Sequence, residues 1–374
     1  MIPICIVLAS VVAGVAPGPA SASIAGPQAA PAAAPPAPPA PAGPVLGLEG
    51  LVAPGAAPRR VVSGLKFAEG PAADAKGNIT FSDILGEEML RLVPGPDGSY
   101  AVGAAATPFI RGSGGANGQM YTPDGRLLTC QMMTGKLQEV VCTGGACSLS
   151  PIVDLIDGVT LPGMNDLAIG ADGTVWFSTM GNKKAIGSAG IYATTLAGGS
   201  ARHVLTTEVQ RPNGVRLSPD GKVLYVVSYA KPELWAFPVE GPAKLGAGRV
   251  LSALQKPDGT PAKGGDGLAV DSKGNVWVAV PEAKALHVVD AEGKTLGHVS
   301  FRENPSNCAF GGADGRTLFV TAQTSVYALP TLVEGHWLAR GGPKAGPGAP
   351  ADATAAPAAP AAPPPAPATP AAPR

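Results

Sequence analysis

The chain has 374 residues, and its 27 Lys and Arg residues balance its 27 Asp and Glu residues, so the formal net charge is zero. Because no basic stripe or acidic tail stands out, we expect no nucleic-acid partner. Charged residues make up only 14% of the chain, whereas 51 glycines predict many turns and favour an all-β fold.

The N-terminal segment resembles an export signal. Residues 2–16 are apolar and are followed by Ala20-Ser21-Ala22, a small-residue pattern typical of a cleavage site. The apolar stretch is shorter than the ~20 residues of a membrane-spanning helix. We expect a signal peptide over 1–22, no stable membrane span after processing, and export to the periplasm or outside the cell. The alternative is an apolar, Ala-rich start without a targeting role, since no basic residue precedes Arg59.

Pro/Ala-rich segments flank the middle of the chain. Residues 23–58 carry a single charge, Glu49, and residues 339–374 end in a Pro/Ala tract. Such sequences have little apolar surface to bury against the entropy of ordering, and this predicts a linker over 23–58 and a disordered tail over 339–374. A folded domain is then expected over 59–338.

The middle of the chain repeats one pattern six times. A glycine after Lys or Asp precedes an apolar strand at Gly77, Gly125, Gly173, Gly221, Gly274 and Gly315. Each repeat offers about four short strands, which predicts a six-bladed β-propeller. Residues 59–67 precede the first repeat, and we expect them to supply the missing outer strand of the last blade. A pair of β-sandwiches is the alternative, but it does not explain six similar repeats.

One polar residue stands eight positions before each turn glycine. These residues are Glu69, Asn117, Asn165, Asn213, Asp266 and Asn307. Since the first strand of each blade lines the central channel of a propeller, these side chains are expected to meet at one end of the channel. The alternative for any single residue is a structural one, in which its side chain caps its own backbone.

Two inward-facing carboxylates require a compensating charge, because buried unpaired carboxylates are costly. No Lys or Arg occupies the equivalent position in any repeat. We therefore predict a bound divalent cation. Oxygen ligands suit Ca²⁺ best, with Mg²⁺, Mn²⁺ or Zn²⁺ as alternatives.

Four motifs resemble those of the SMP-30/gluconolactonase/LRE-like family. They are Glu69-Gly70-Pro71, Asn165-Asp166, Arg211-Pro212-Asn213-Gly214 and Gly265-Asp266-Gly267-Leu268. The resemblance covers roughly 59–330 and implies six-bladed propeller hydrolases with a central metal.

The resemblance also implies roles for individual residues. It implies that Glu69, Asn213 and Asp266 hold the metal, that Asn165 is a ligand or substrate contact, and that Asp266 is the general base. A water bound to the metal is the alternative to this base. Asn117 is implied as a substrate contact by the neighbouring Gly114-Gly115-Ala116, and we assign Asn307 to the same group by its register. Animal sugar lactonases of the family carry Arg where this chain has Gly163, so the resemblance does not extend to sugar specificity.

These observations lead to three hypotheses of function. The first is metal-assisted hydrolysis of a lactone, a small-molecule substrate. The second is hydrolysis of phosphotriesters or aryl esters at the same site. The third is a binding propeller in which the metal is structural, since a fold does not determine a function.

Two cysteines flank a short turn. Cys142 and Cys147 enclose Thr-Gly-Gly-Ala, with strand-like residues on both sides. A hairpin would place them opposite each other, where a disulfide forms in an oxidising compartment. The alternative is two unpaired thiols near the turn.

Overall fold

The computed structural model describes residues 43–336, except for 157, 159, 162, 182–188, 200, 206 and 207. The predicted signal peptide, the first part of the predicted linker and the C-terminal tail lie outside the described residues. Within the described part, the chain forms 26 β-strands, and the only helical element is a 3-10 turn at Pro281–Ala283. No helix in this part is long and apolar enough to cross a membrane.

The strands form six antiparallel sheets, one for each repeat. Two strands precede the first repeat, β1 (Val45–Leu46) and β2 (Arg59–Ser63). Blade 1 contains β3 (Ala68–Ala73), β4 (Ile79–Asp83), β5 (Glu88–Leu92) and β6 (Thr107–Arg111). Blade 2 contains β7 (Ala116–Tyr121), β8 (Leu127–Gln131), β9 (Lys136–Thr143) and β10 (Ala146–Val153). Blade 3 contains β11 (Met164–Ile169), β12 (Thr174–Thr179), β13 (Gly190–Thr195) and β14 (Arg202–Leu205).

The remaining blades vary this plan slightly. Blade 4 contains β15 (Pro212–Leu217), β16 (Val223–Ser228), β17 (Glu233–Gly241), the short β18 (Lys244–Leu245) and β19 (Arg249–Ala253). Blade 5 contains β20 (Leu268–Val270), β21 (Val276–Val280), β22 (Ala285–Val289) and β23 (Thr295–Ser300). Blade 6 contains β24 (Pro305–Gly311), β25 (Thr317–Ala322) and β26 (Ser325–Pro330).

The first strands of the blades form a closed ring. Each one contacts the next in the cycle β3, β7, β11, β15, β20, β24 and back to β3. The outer strand of blade 6 is β2, whose Arg59 pairs with Ala328 of β26. The six-bladed β-propeller is therefore confirmed, and residues 59–63 close it as predicted.

Local sequence explains the strand order within each blade. All six predicted turn glycines have φ between +70° and +89°, a conformation that residues with a side chain rarely adopt. The apolar second strands are buried between neighbouring sheets. Trp176 of blade 3, for example, packs in one cluster with Val215 and Leu224 of blade 4. Each blade is thus held by the next one, which fixes where the first strands begin.

The structure differs from the linker expectation over residues 43–58. Val45 pairs with Val299, which adds β1 to blade 5 as a fifth strand. Leu48, Leu51 and Val52 are buried in the cluster that contains Trp277. The folded domain therefore begins before Arg59. The sequence did not predict this, because the few apolar side chains lie among many Pro and Ala residues.

Candidate metal centre

The six residues eight positions before the turn glycines all lie at the start of a first strand. Five occupy the second or third position of that strand, and Asp266 stands two residues before β20. All six side chains are buried, namely Glu69, Asn117, Asn165, Asn213, Asp266 and Asn307. The register that the sequence predicts therefore brings them to one end of the channel.

Small residues beside these positions let the first strands approach one another closely. A Cβ on Gly70 would lie 1.9 Å from the carbonyl oxygen of Asn117, in the next blade. A Cβ on Gly214 would lie 2.7 Å from the carbonyl oxygen of Asp266. The glycine after each of these inward-facing residues is thus needed for the approach that brings neighbouring side chains together.

The two carboxyl groups of the set lie close to each other although they belong to blades 1 and 5. Burial raises the pKa of Glu69 well above its usual range, and the charge of Asp266 raises it further. Burial also raises the pKa of Asp266, to about 7, while a hydrogen bond with Asn213 opposes the shift. Hydrogen bonds within the protein offset only part of the free-energy cost of burying these carboxylates. One of these hydrogen bonds is donated by the Gly70 N–H to Glu69 Oε2 at 2.7 Å.

Three amide side chains of the set carry buried atoms without a hydrogen-bond partner. These atoms are Oδ1 of Asn165, Oδ1 of Asn213, and both Oδ1 and Nδ2 of Asn117. On the other side of the amide, Nδ2 of Asn165 and Nδ2 of Asn213 lie 3.2 and 3.5 Å from Sδ of Met180. Buried amide oxygens without partners are rare in folded proteins, and they suggest a group that is not part of the chain.

The donor set fits a hard divalent cation. Two desolvated carboxylates and two unpartnered amide oxygens, on Glu69, Asp266, Asn165 and Asn213, are ligand types that Ca²⁺ prefers. Among the described residues, no group of three or more His, Cys, Asp or Glu side chains is arranged to hold a metal. The candidate ligand set named here consists of carboxylates together with amides. Asn117 lies beside this set with its polar atoms free for another ligand.

Asn307 differs from the other amides because its polar atoms have partners. Its Oδ1 accepts a hydrogen bond from the Cys308 N–H at 2.8 Å, and its Nδ2 lies 3.4 Å from Asp166 Oδ2. A hydrogen bond from the same side chain also lowers the pKa of Glu69. The structure therefore places Asn307 as a support for two carboxylates, while its predicted contact with substrate stays a prediction.

Asp166 and Arg216 were not assigned from the sequence. Asp166 Oδ1 lies 2.9 Å from Arg216 Nη1, and the Asp166 side chain is fully buried. Two signals were available. Asp166 occupies a position that is Gly in four of the other repeats, and Arg216 is the one charged residue three positions after an inward-facing residue. A buried acid and a buried base at unusual positions predict a pair.

A small cavity lies further along the channel than the six side chains. It measures about 60 Å³ and is lined by the later residues of all six first strands, including Ala72, Ala168 and Arg216. Its walls are mostly apolar, Arg216 is the charged residue among them, and the imidazole of His336 also lines it. The channel therefore has a polar end with two carboxylates and an apolar end with one guanidinium group.

The structure contains the disulfide considered from the sequence. Cys142 of β9 pairs with Cys147 of β10 across the hairpin, and the two are joined by a disulfide. This hairpin forms the outer edge of blade 2, away from the six inward-facing residues. The bridge therefore belongs to the scaffold. The other described cysteines without a disulfide, Cys130 and Cys308, are buried.

Comparison with known proteins relates this chain to one family. A family model for the SMP-30/gluconolactonase/LRE-like region matches residues 67–324. A gluconolactonase of Zymomonas mobilis is 26% identical over 306 residues, which is 74% of this chain and 81% of the relative. The diisopropyl-fluorophosphatase of Loligo vulgaris is 28% identical over 291 residues, 70% of this chain and 87% of the relative.

Solved structures share the fold. A gluconolactonase of Xanthomonas campestris matches with a TM-score of 0.63 at 23% identity, covering 78% of this chain and 99% of its own. Regucalcin from Agrobacterium tumefaciens, a calcium-binding protein, matches with a TM-score of 0.60 at 22% identity, covering 75% of this chain and 95% of its own. At this level of identity, the two matches support the propeller architecture alone.

Proposed function

Because the chain belongs to the SMP-30/gluconolactonase/LRE-like family, we propose that it is a metal-dependent lactonase that opens a sugar or related lactone. The proposal rests on one observation: the same site contains desolvated carboxylates and buried amide oxygens that have no hydrogen-bond partner. Similarity to a gluconolactonase over most of both chains supports a hydrolase with this chemistry.

The residues present have distinct roles in this proposal. Glu69, Asn165, Asn213 and Asp266 would hold the cation. When bound, a divalent cation supplies Lewis-acid polarisation of the lactone carbonyl. Asn117, with both polar atoms of its side chain unpartnered, would hydrogen-bond the polar part of the substrate.

Asp266 is the candidate general base. Burial raises its pKa to about 7. At neutral pH, a carboxyl group with this pKa is partly ionised, and its carboxylate form is basic enough to take a proton from water. A bound cation lowers that basicity, so the proposal requires Asp266 to retain one oxygen toward the water. Its interactions with Asn213 and Glu69 support this role, because they keep the proposed proton acceptor among the residues that would hold the cation.

A second candidate function is phosphotriester hydrolysis at the same site. The observation in its favour is the similarity to the Loligo fluorophosphatase over 70% of this chain. A lactone panel assayed beside a phosphotriester panel, each with Ca²⁺, Mg²⁺, Mn²⁺ or Zn²⁺, distinguishes the two. Turnover of phosphotriesters alone would replace the lactonase proposal.

The test combines calorimetric cation titration with lactone hydrolysis. We expect one divalent cation per chain, and Glu69→Gln to weaken its binding strongly. Asp266→Asn should lower kcat by at least ~10²-fold, as the loss of a general base does. Asp97→Asn, in an exposed turn, is the matched control and should change neither property. Full lactonase activity in metal-free protein would contradict the proposal, and cation binding without hydrolysis of any ester would favour a binding propeller.

A further inference from the structure

The residue that follows the second strand of each blade is apolar in five of six blades. We call Ile84, Met132, Met180, Tyr229 and Pro281 the apolar ring; the sixth blade has Gln323. Strand pairing shows that these positions are equivalent in blades 1 to 4. In each of these blades, the last residue of the second strand pairs with the residue that precedes the inward-facing residue of the first strand. The first residue of the loop after the second strand is therefore apolar in five of the six blades.

A repeated hydrogen bond fixes the ring against the candidate metal centre. In blades 1 to 4, the N–H of the ring residue donates to the carbonyl of the residue two positions before the inward-facing one. These pairs are Ile84 with Phe67, Met132 with Gly115, Met180 with Gly163, and Tyr229 with Arg211. Pro281 has no N–H to donate. The ring thus sits directly above the starts of the first strands.

One ring member, Met180, contacts the ligand set, and a second, Tyr229, lies beside the segment that leads to Asp266. Met180 Sδ contacts the amides of Asn165 and Asn213, as described above. Tyr229 lies between blades 4 and 5, because a Cβ on Gly264, two residues before Asp266, would be 2.1 Å from its carbonyl oxygen. Tyr229 is 42% exposed, and the Arg211 guanidinium lies 5.0 Å from the centroid of its ring.

Gly163 makes this side of the site still less polar. It has φ +93°, and a Cβ there would lie 2.7 Å from the carbonyl oxygen of Gly181. No side chain fits at this position, so the wall beside Asn165 is formed by Met180. Among the described residues, two lysines near the ring are paired with carboxylates, Lys231 with Glu233 at 3.8 Å and Lys263 with Glu282 at 3.0 Å.

We propose that the apolar ring selects lactones that carry an alkyl or aryl substituent over lactones substituted only with hydroxyl groups. This inference rests on the proposed lactonase function and specifies its substrate class. The polar lactone group would lie at the cation and Asn117, and the substituent would lie against Met180 and Tyr229. Hydroxyl groups facing a thioether lose hydrogen bonds to water without replacement, which disfavours sugar-like lactones.

The first experiment compares δ-nonalactone, δ-valerolactone and glucono-δ-lactone on the cation-loaded protein. Burial of one methylene group of the substrate raises its affinity about three- to fourfold. We expect kcat/KM for δ-nonalactone to exceed the other two values by at least about tenfold. A kcat/KM for glucono-δ-lactone equal to or above that of δ-nonalactone would overturn the inference and leave the lactonase proposal standing.

Variants locate the preference in the ring. Met180→Gln keeps the side-chain length and adds polarity, and Tyr229→Ser removes the aromatic surface. Each should reduce the preference for δ-nonalactone several-fold, mainly through KM. Val93→Ser removes an apolar side chain that is 61% exposed at the end of the third strand of blade 1, on the opposite face, and should leave the preference unchanged. An unaltered preference in both ring variants would also overturn the inference.

A binding measurement separates failure of the inference from failure of the proposed function. The probes are the δ-lactam analogues of δ-nonalactone and δ-valerolactone, titrated by calorimetry because the amide resists hydrolysis. Tighter binding of the alkyl lactam without hydrolysis of any lactone would remove the lactonase proposal and keep the ring as an apolar-ligand site. Equal affinity for the two lactams, or no binding of either, would overturn the inference whatever the activity.

Discussion

Arg216 Nη1 lies 2.9 Å from Asp166 Oδ1, and the two residues link the ends of the central channel. The same guanidinium nitrogen also donates to the carbonyl oxygens of Leu167 and Val215. Asp166 in turn accepts from the Leu167 N–H and lies against the Asn307 amide. The pair therefore neutralises a third buried carboxylate beside Glu69 and Asp266, and leaves two for a cation.

Replacing one member of this pair should be far more damaging than replacing both. Arg216→Met leaves Asp166 buried without its partner, and we expect the free energy of unfolding to fall by about 3–5 kcal/mol. Adding Asp166→Asn removes the unpaired charge, so the double variant should recover a large part of that loss. Urea unfolding at pH 7 measures both effects. Strictly additive losses would show that the pair is not coupled.

Cation binding should release protons. In the metal-free protein, burial raises the pKa of both Glu69 and Asp266, so these groups hold protons at pH values where they are normally ionised. A cation displaces those protons, and its affinity should therefore rise as the pH increases from about 5 toward 7. Calorimetry in buffers with different ionisation enthalpies measures the number of protons released. Affinity that does not change with pH over this range would contradict the assigned ligands.

Asn213→Ala should have an effect that depends on the cation. The variant loses the hydrogen bond between Asn213 and Asp266 whether or not the cation is bound. Because Asn213 Oδ1 has no partner in the protein, the stabilisation by Ca²⁺ should in addition fall sharply. Asn275→Ala is the matched contrast, since the Asn275 amide donates to Asp271 at 2.8 Å. That variant should lose about 1–2 kcal/mol with and without the cation. Thermal unfolding with and without Ca²⁺ distinguishes the two patterns.

Two stacked histidines should make the protein sensitive to mild acid. The rings of His287 and His298 are 4.8 Å apart, His287 Nδ1 accepts from the Gln255 N–H, and the His298 Nε2–H donates to the Gln255 carbonyl. Burial, with a smaller effect of the His298 charge, lowers the pKa of His287 to about 4. Burial also lowers the pKa of His298, against smaller opposing effects of the hydrogen bond to the Gln255 carbonyl and of the Asp258 charge.

The direction of this pH dependence follows from the lowered values. Below pH ~6.5 the unfolded chain binds a proton at His287 that the folded chain does not, so stability falls as the pH decreases toward 4. We expect a loss of about 2 kcal/mol from this residue between pH 6.5 and 5. Urea unfolding across this range tests it, and His287→Phe should flatten the slope even where it lowers the stability at pH 7. If the free energy of unfolding of the variant depends on pH as steeply as before, a group other than His287 causes the pH dependence.

The segment before the first repeat should contribute to the core. Leu48 is 3% exposed in the cluster with Trp277, and Leu48→Ala should lower the free energy of unfolding by about 3 kcal/mol. Leu46→Ala is the control, because Leu46 is 44% exposed and should change it by less than about 0.5 kcal/mol. Equal effects of the two substitutions would mean that the segment contributes through its backbone pairing with β23.

The repeat pattern was sufficient to predict the propeller and the convergence of Glu69, Asn213 and Asp266. Both follow from local rules, since a turn glycine fixes the register and the register fixes which residue faces inward. Met180 could not be found in this way, because its contact with two amides depends on how neighbouring blades pack. Leu48 was missed for a different reason, as a composition average over a Pro/Ala-rich segment hides a few apolar side chains.

The closure of blade 6 by β2 has a consequence for how the protein is made. Within the propeller, β2 and Glu69 are synthesised before the other blades, whereas their partners β26 and Ser306 belong to the last blade. The Ser306 hydroxyl donates to the Ala68 carbonyl beside Glu69. Folding must therefore join the most distant parts of the polypeptide, a step that is slow in chains dominated by non-local pairing. Until blade 6 has been translated, blade 1 lacks that neighbour, so we expect a product truncated before β24 not to assemble the ligand set even though it contains Glu69, Asn213 and Asp266.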